Sequence, residues 1–242
     1  MTAAVARVSV VARAPRSLAE AAATLDREAQ TLPAKQILIR ALEAFSGRIA
    51  VVSSFGAESA ALLHLLASID KETPVLFLDT EKHFVQTNAY REELTHRLGL
   101  KDVRAILPDA GELAAIDPKG DLWRRDNDAC CSLRKVRPLD KALSNFDAWI
   151  TGRKRMHGNL RAFLPIVEFA DPHAKINPLA RWSAQEIADY MTVHDLPPHP
   201  LVETGFSSIG CWPCTAPTAP GDDARAGRWR GLQKTECGIH RI

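Results

Sequence analysis

Three features of this 242-residue sequence predict an α/β fold, a parallel twisted sheet with helices on both faces. Short β-rich runs alternate with amphipathic helical segments, the pattern of strands and crossover helices. Polar loops follow several of those runs, at 53–59, 79–83 and 152–158, where an open parallel sheet takes its ligands. Hydrophobic residues at 46% and charged residues at 25% are ordinary for a soluble globular chain, so the core needs no disulfides to complete it.

Residues 17–46 carry apolar and alanine positions at helical spacing, with a break at Pro33. The run 49–52 is a strand, followed by a polar loop and an apolar helix over 60–69. A second strand at 75–78 ends in Asp79-Thr80, and 84–98 is an amphipathic helix stopped by Gly99. Strands follow at 103–107 and 148–151, the latter running into Gly152. After residue 195 or so, Pro197, Pro198, Pro200, Pro213, Pro217 and Pro220 make regular structure sparse. The expected organisation is a leader without structure over 1–16, one α/β domain over 17–220 and a mobile, basic tail over 221–242.

A formal net charge of +2 is too small to argue for nucleic acid from bulk charge, so none is expected as a partner, and no apolar run is long enough for a membrane span. The arginines at 7, 13 and 16 interrupt any secretory core, so a bacterial leader is preferred to a transit peptide. Five cysteines of distinct spacing suit ligation and catalysis in a reducing cytoplasm. Oligomeric state stays open, a homo-oligomer included.

Those cysteines are the most specific signal. Cys130-Cys131 and Cys211-Trp-Pro-Cys214 form two close pairs, and Cys237 stands apart near the end. Two pairs can supply four thiolates to a metal centre. An adjacent pair is awkward on one small zinc ion and easier across a larger iron–sulfur cluster; zinc and unliganded redox thiols are the rival readings. Arg134 and Lys135 beside the first pair would offset an anionic cluster, unless they form a solvated helix face.

The loop Ser53, Ser54, Phe55, Gly56, Ala57, Glu58, Ser59 joins a strand to a helix, where backbone N–H groups and the helix dipole can hold phosphate. It has a single glycine and no Gly-Lys-Ser ending, so it is no Walker loop and by itself reads equally as a polar turn. Arg153-Lys154-Arg155 follows another strand and suits a polyanion, with a solvated loop as the plainer alternative. Cys237, with Gly238 and His240 in a basic tail, can carry a thiolate, though free cysteines are often incidental.

Taken together, Ser54 to Ser59, Leu78-Asp79-Thr80, Cys130-Cys131 with Arg134-Lys135, Asn177-Pro178-Leu179, Ser208-Ile209-Gly210-Cys211 with Cys214-Thr215, Arg225-Ala226-Gly227-Arg228-Trp229 and Glu236-Cys237-Gly238-Ile239-His240 resemble the assimilatory sulfonucleotide reductases. The match is to the bacterial iron–sulfur branch that acts on adenosine 5′-phosphosulfate, within the PAPS reductase family. The resemblance implies an adenine-nucleotide α-hydrolase-like fold related to the PP-loop enzymes. It implies that Ser53 to Ser59 takes the phosphosulfate end, that Leu78, Asp79 and Thr80 lie by the adenosine, and that Arg153, Arg155, Arg225 and Arg228 bind substrate. It further implies a 4Fe–4S cluster on Cys130, Cys131, Cys211 and Cys214, and catalysis by Cys237 with Lys135 and His240.

The reaction so implied is attack of Cys237 on the substrate sulfur, departure of AMP, and release of sulfite from S-sulfocysteine by thioredoxin or a glutaredoxin-like protein. The chain reads Arg153-Lys154-Arg155-Met156-His157 where many relatives read Arg-Arg-Asp-Gln, which changes the phosphate contacts expected there. It stops five residues after Cys237, so the reductant is expected to be a separate protein. The 3′-phosphorylated sulfonucleotide is the alternative substrate. Two further classes are weighed: a PP-loop ATP-dependent thiolation enzyme, which needs a more glycine-rich loop, and an iron–sulfur regulator that binds nucleic acid through the basic tail.

Overall fold

The computed structural model describes residues 17–158, 161–232 and 234–240. The expected leader over 1–16 lies outside the described residues. Ser17 caps α1 (Leu18–Ala29) through a capping box with Glu20, and α2 (Ala34–Ala44) begins after Pro33. Proline has no N–H for a helix interior, so the predicted break falls there.

Six strands form one sheet: β1 (Ile49–Val52), β2 (Val75–Leu78), β3 (Val103–Ile106), β4 (Ala148–Ile150), β5 (Val167–Ala170) and β6 (His173–Ile176). Their order is β3-β2-β1-β4-β6-β5, with Val51 opposite Val75 on one side and Ile150 on the other. All pairings are parallel except β5 with β6, so the expected parallel sheet carries one antiparallel pair at its edge. Only Asp171 and Pro172 join those two strands, and so short a connection permits antiparallel pairing alone.

Alternate residues feed the two faces, as the two-residue strand period requires. Ile49, Val51, Val75, Phe77, Ala148 and Ile150 pack with α1, α2, α3 (Ser59–Ala67), α4 (Val85–Leu98) and α9 (Ala184–Val193). Ala50, Leu76, Leu78 and Trp149 face the other way, against Leu139 and Leu143 of α8 (Arg137–Leu143). Gly99 ends α4 in the left-handed region, at φ 66°. Short helices α5 (Ala110–Ile116), α6 (Leu122–Arg125) and α7 (Asn127–Cys131) lie between β3 and α8. No helix among the described residues is long and apolar enough to cross a membrane.

The position of the site follows from the strand order. From β1 the chain builds outward to β2 and β3 on one side, then crosses to β4 on the other. The loops leaving β1 and β4 therefore diverge and open a crevice at the sheet's C-terminal edge.

Candidate active site

That crevice is a cleft of about 200 Å³. The loop after β1 supplies Ser53, Ser54, Gly56, Ala57, Glu58 and Ser59. Phe55 is the exception: its ring turns into the core, edge-on to Phe77 at 5.7 Å, while its backbone takes a φ of 48°. Bulky residues rarely adopt that region, so ring burial offsets local strain. The loop after β4 supplies Arg153 and Lys154, and the segment beyond it His157 and Arg161. Ser207 to Gly210 and the tail residues Arg225, Arg228, Trp229, Glu236, Cys237, Ile239 and His240 close the remaining wall.

Many of the cleft's cations are already paired. Lys154 reaches Glu58 at 2.8 Å, and His157 lies 3.3 Å from the same carboxylate. Burial pushes the Glu58 carboxyl up, but His157 and Lys154 outweigh it and hold it down at about 2. Arg153 pairs with Glu168 and donates to Asn177, whose amide oxygen also receives the Thr151 hydroxyl at 2.7 Å. Asn177 of β6's exit loop thereby fixes the loop after β4. Arg161 grips Glu236 through two hydrogen bonds, of 2.5 and 2.9 Å.

The tail is docked along this cleft. Lys234 contacts Asp128 at 2.5 Å, Arg225 donates to the Thr235 carbonyl at 2.7 Å, and Glu236 lies 3.6 Å from Arg225. Ile239 packs on the Trp149 face of the sheet, and His240 stacks parallel to the Trp149 ring at 5.5 Å. Burial and the cations Arg153, Arg161, Lys175 and Arg225 push the His240 imidazole well below its usual range. It is neutral at physiological pH, with Nδ1 buried and unpartnered among the described residues. Burial and Arg161 likewise push Arg225 down to about 10, although Glu236 opposes them.

Behind the cleft, Cys130, Cys131, Cys211 and Cys214 line a second, small cavity of about 20 Å³. Cys130 and Cys131 end α7, and the helix then widens into a π-turn (Ser132–Val136) in which Arg137 donates to the carbonyl of Ser132, five residues back. Pro138 is the local cause: it offers no N–H to the carbonyl four residues before it, and its ring crowds that carbonyl. The other pair rides a 3₁₀ turn (Trp212–Cys214) held to the loop after β2 by Trp212 N–H to Lys82 carbonyl at 2.8 Å. Asn127 Nδ2 donates to the Cys214 sulfur at 3.1 Å, and the Thr80 hydroxyl lies 3.2 Å from the Cys211 sulfur. Among the described residues, no three His, Cys, Asp or Glu side chains converge as a site for a single metal ion.

The thiols differ in their surroundings. Burial pushes Cys130 up to about 11, helped by repulsion from the other cysteines, and burial also raises Cys131. At Cys211 burial acts the same way, yet Lys135, the Thr80 hydroxyl and Arg228 outweigh it and the thiol falls below its ordinary value. Lys135 lines both cavities, and although burial opposes its charge, Cys211, Cys237 and Cys131 keep its ammonium above the usual lysine range. Arg134 is no solvated helix face: its guanidinium binds Asp117 at 2.8 Å, and Glu81 and the Thr80 carbonyl at 2.9 Å each.

The structure thus gathers most of the predicted residues, with exceptions. Leu78 reaches the cleft, but Thr80 faces Cys211, and Asp79 caps the Glu81 amide at 3.0 Å. Arg155 points away, donating to the Leu164 carbonyl at 2.8 Å. His83 and Arg161 line the cleft without having been singled out, and Lys154, His157 and Trp229, named only within longer runs, line it too. The one sequence signal for Arg161 is a further cation a few residues beyond the Arg153-Lys154-Arg155 run.

An open α/β sheet with a cationic, thiol-bearing crevice at its switch point is the architecture of a nucleotide-handling enzyme. The phosphoadenosine phosphosulfate reductase domain matches residues 48–217. A Mesorhizobium japonicum protein named adenosine 5′-phosphosulfate reductase is 50% identical over 92% of this chain and 88% of its own length. A Streptomyces coelicolor protein of the same name is 39% identical over 93% and 94%. A Gloeobacter violaceus protein named phosphoadenosine 5′-phosphosulfate reductase is 38% identical over 89% and 92%. In fold, the crystal structure of a phosphoadenylyl-sulfate reductase from Candida auris superposes with a TM-score of 0.66 at 23% identity, over 81% of this chain and 96% of that one. A Candida glabrata FMN adenylyltransferase follows at 0.57 and 17%, over 90% and 84%. The chain belongs to the phosphoadenosine phosphosulfate reductase family.

Proposed function

We propose that this chain reduces adenosine 5′-phosphosulfate to sulfite and AMP, with Cys237 as nucleophile and a 4Fe–4S cluster on the other four cysteines. One observation carries the reading: Cys237 shares the open cleft with Lys135, Arg225 and Arg228, while the remaining thiols line a separate cavity behind Lys135. The relatives' names supply the substrate class, and the cleft's chemistry fits it.

The Cys237 thiolate attacks the sulfonate sulfur, a sulfur–sulfur bond forms, and the bond from sulfur to the phosphate oxygen breaks with its electron pair leaving on AMP. Nucleophile, sulfonate and leaving phosphate are all anionic, so Lys135, Arg225 and Arg228 offset their repulsion. His240, held neutral, orients rather than charges the site. A thiolate of a thioredoxin- or glutaredoxin-like dithiol then attacks the Cys237 sulfur and expels sulfite. Its second thiol resolves the mixed disulfide, so the dithiol supplies both electrons. Such a reductant belongs to a reducing cytoplasm, and the tail must leave its docked position to meet it.

The residues around the small cavity fit a cluster. The four thiols line one small cavity where burial already raises Cys130 and Cys131, so thiolates gathered there need cationic compensation. Asn127 and Thr80 already direct hydrogen-bonding groups at two of the sulfurs, as the surroundings of ligating thiolates do. When bound, the cluster supplies local negative charge, which holds Lys135 protonated beside the cleft. The absence of the 3′-phosphate from the proposed substrate suits cations already taken: Lys154, Arg153 and Arg161 each have a carboxylate partner.

The test is sulfite release with thioredoxin, comparing the sulfonucleotides with and without the 3′-phosphate. Faster turnover of the unphosphorylated one is expected; preference for the other would overturn the substrate assignment, and no sulfite from either would overturn the function.

A further inference from the structure

The cleft holds one arginine whose guanidinium makes no ion pair or side-chain hydrogen bond among the described residues: Arg228, with Nε buried and unpartnered. A half-buried guanidinium with no carboxylate partner has lost solvation without an ion pair to replace it, so its other neighbours must fix it. Two contacts do. Its guanidinium carbon lies 4.5 Å from the centre of the Trp229 ring, and its terminal nitrogens lie against the Gly210 backbone. A Cβ on Gly210 would stand 2.3 Å from Nη2 and 2.6 Å from the guanidinium carbon, so any side chain there evicts the group from its seat.

Trp229 is itself held under constraint. It is 3% exposed, takes a φ of 49°, and donates its N–H to the Cys214 carbonyl at 3.0 Å. Gly210 directly precedes Cys211. Both halves of the seat are thus built on the loop that carries the second cysteine pair, and Trp229 lines both cavities. A π-face attracts a guanidinium without occupying its N–H donors, whereas a carboxylate would consume them.

We propose that Gly210 and Trp229 are positioning residues that seat Arg228 as the uncommitted cation for the ligand's anionic end, and that folding of the Cys211–Cys214 loop aims it. This rests on the nucleotide reading of the cleft, but its test does not need turnover.

The test measures binding of AMP and of adenosine by calorimetry to the cluster-loaded protein and to Arg228→Ala, Gly210→Ala, Trp229→Leu and Trp229→Phe. Arg228→Ala should reduce the preference for AMP over adenosine about tenfold or more. Gly210→Ala and Trp229→Leu should reproduce that loss of preference, and Trp229→Phe should restore part of it. Adding Gly210→Ala to Arg228→Ala should cost nothing further, because the two act through one group. The seat is overturned if Gly210→Ala and Trp229→Leu keep the wild-type AMP preference while Arg228→Ala loses it. It is also overturned if Arg228→Ala itself keeps that preference. Should Gly210→Ala fail to fold, the two Trp229 variants decide alone. Absence of sulfite release by the wild type would sink the reductase reading and leave this comparison standing.

Discussion

The two cavities that meet at Lys135 are built from similar residues and do opposite things with them. The inner one is small, with four thiols gathered at about 20 Å³ of space; the outer is a cleft of about 200 Å³ with one thiol among many charges. In the inner cavity sulfur is the abundant group and needs a positive centre. In the outer one positive charge is abundant, and a thiolate or a ligand anion is what it can accommodate. On the proposed reading, the ratio of thiols to cations around it makes the same side chain a ligand in one cavity and a nucleophile in the other. Lys135 lines both cavities.

The largest expected effect tests this division directly. Cys237→Ser should abolish sulfite release while leaving the brown absorbance of the proposed cluster intact. Cys214→Ser should bleach that absorbance. If Cys237→Ser still releases sulfite, or loses its colour, the two sets of thiols are not separate in function.

Next comes the residue they share. Lys135→Ala should lower the turnover number about 10²- to 10³-fold, the range for removing one charge stabiliser from a reacting centre. The cluster's absorbance should persist and its electron paramagnetic resonance signal on reduction should shift, because an ammonium lining the cysteine cavity is gone. A variant with normal turnover would mean that Lys135 serves the inner cavity alone.

How much of this was legible in the sequence depends on how local the signal is. β1, β2, β3 and β4 announce themselves as apolar runs, and Pro33 and Gly99 punctuate the helices. β5 and β6 carry Glu168, His173 and Lys175 within four-residue strands, because Lys175 is buried against Glu168 at 3.1 Å and hides a polar residue inside the sheet. The cysteine pairs were plain from spacing, but the π-turn that follows Cys131 needs the clash at Pro138 to be weighed in three dimensions. Arg155 and Arg161 show the limit clearly. Both are cations near the same loop, and only the fold turns one toward the Leu164 carbonyl and the other toward Glu236.

A smaller effect is expected where the tail meets the outer cavity. Glu236→Gln removes the carboxylate that Arg161 grips at 2.5 and 2.9 Å and leaves Lys234 on Asp128 as the remaining charged anchor. Limited proteolysis of the tail should then be several-fold faster without nucleotide, and added AMP should restore part of the protection. Equal cleavage of wild type and variant, with and without AMP, would mean that the tail does not open in the way the reaction needs.

The smallest effect concerns Glu58, which serves the cleft's architecture rather than its chemistry. Its carboxyl is held at about 2 against an ordinary 4.5, so the group favours the folded state when ionised. For a depressed carboxylate this stabilisation is fully present above the unfolded value and is lost as pH falls through the folded one. The gain is partly cancelled by its partner, because burial pulls the Lys154 ammonium below its usual range even with Glu58 beside it. Glu58→Gln should therefore be less stable than wild type at neutral pH, and the gap should close as pH falls from 4.5 toward about 2. Chemical denaturation of both proteins across that window measures it. A gap that stays constant with pH would assign the Glu58 contribution to packing of the loop and not to its charge.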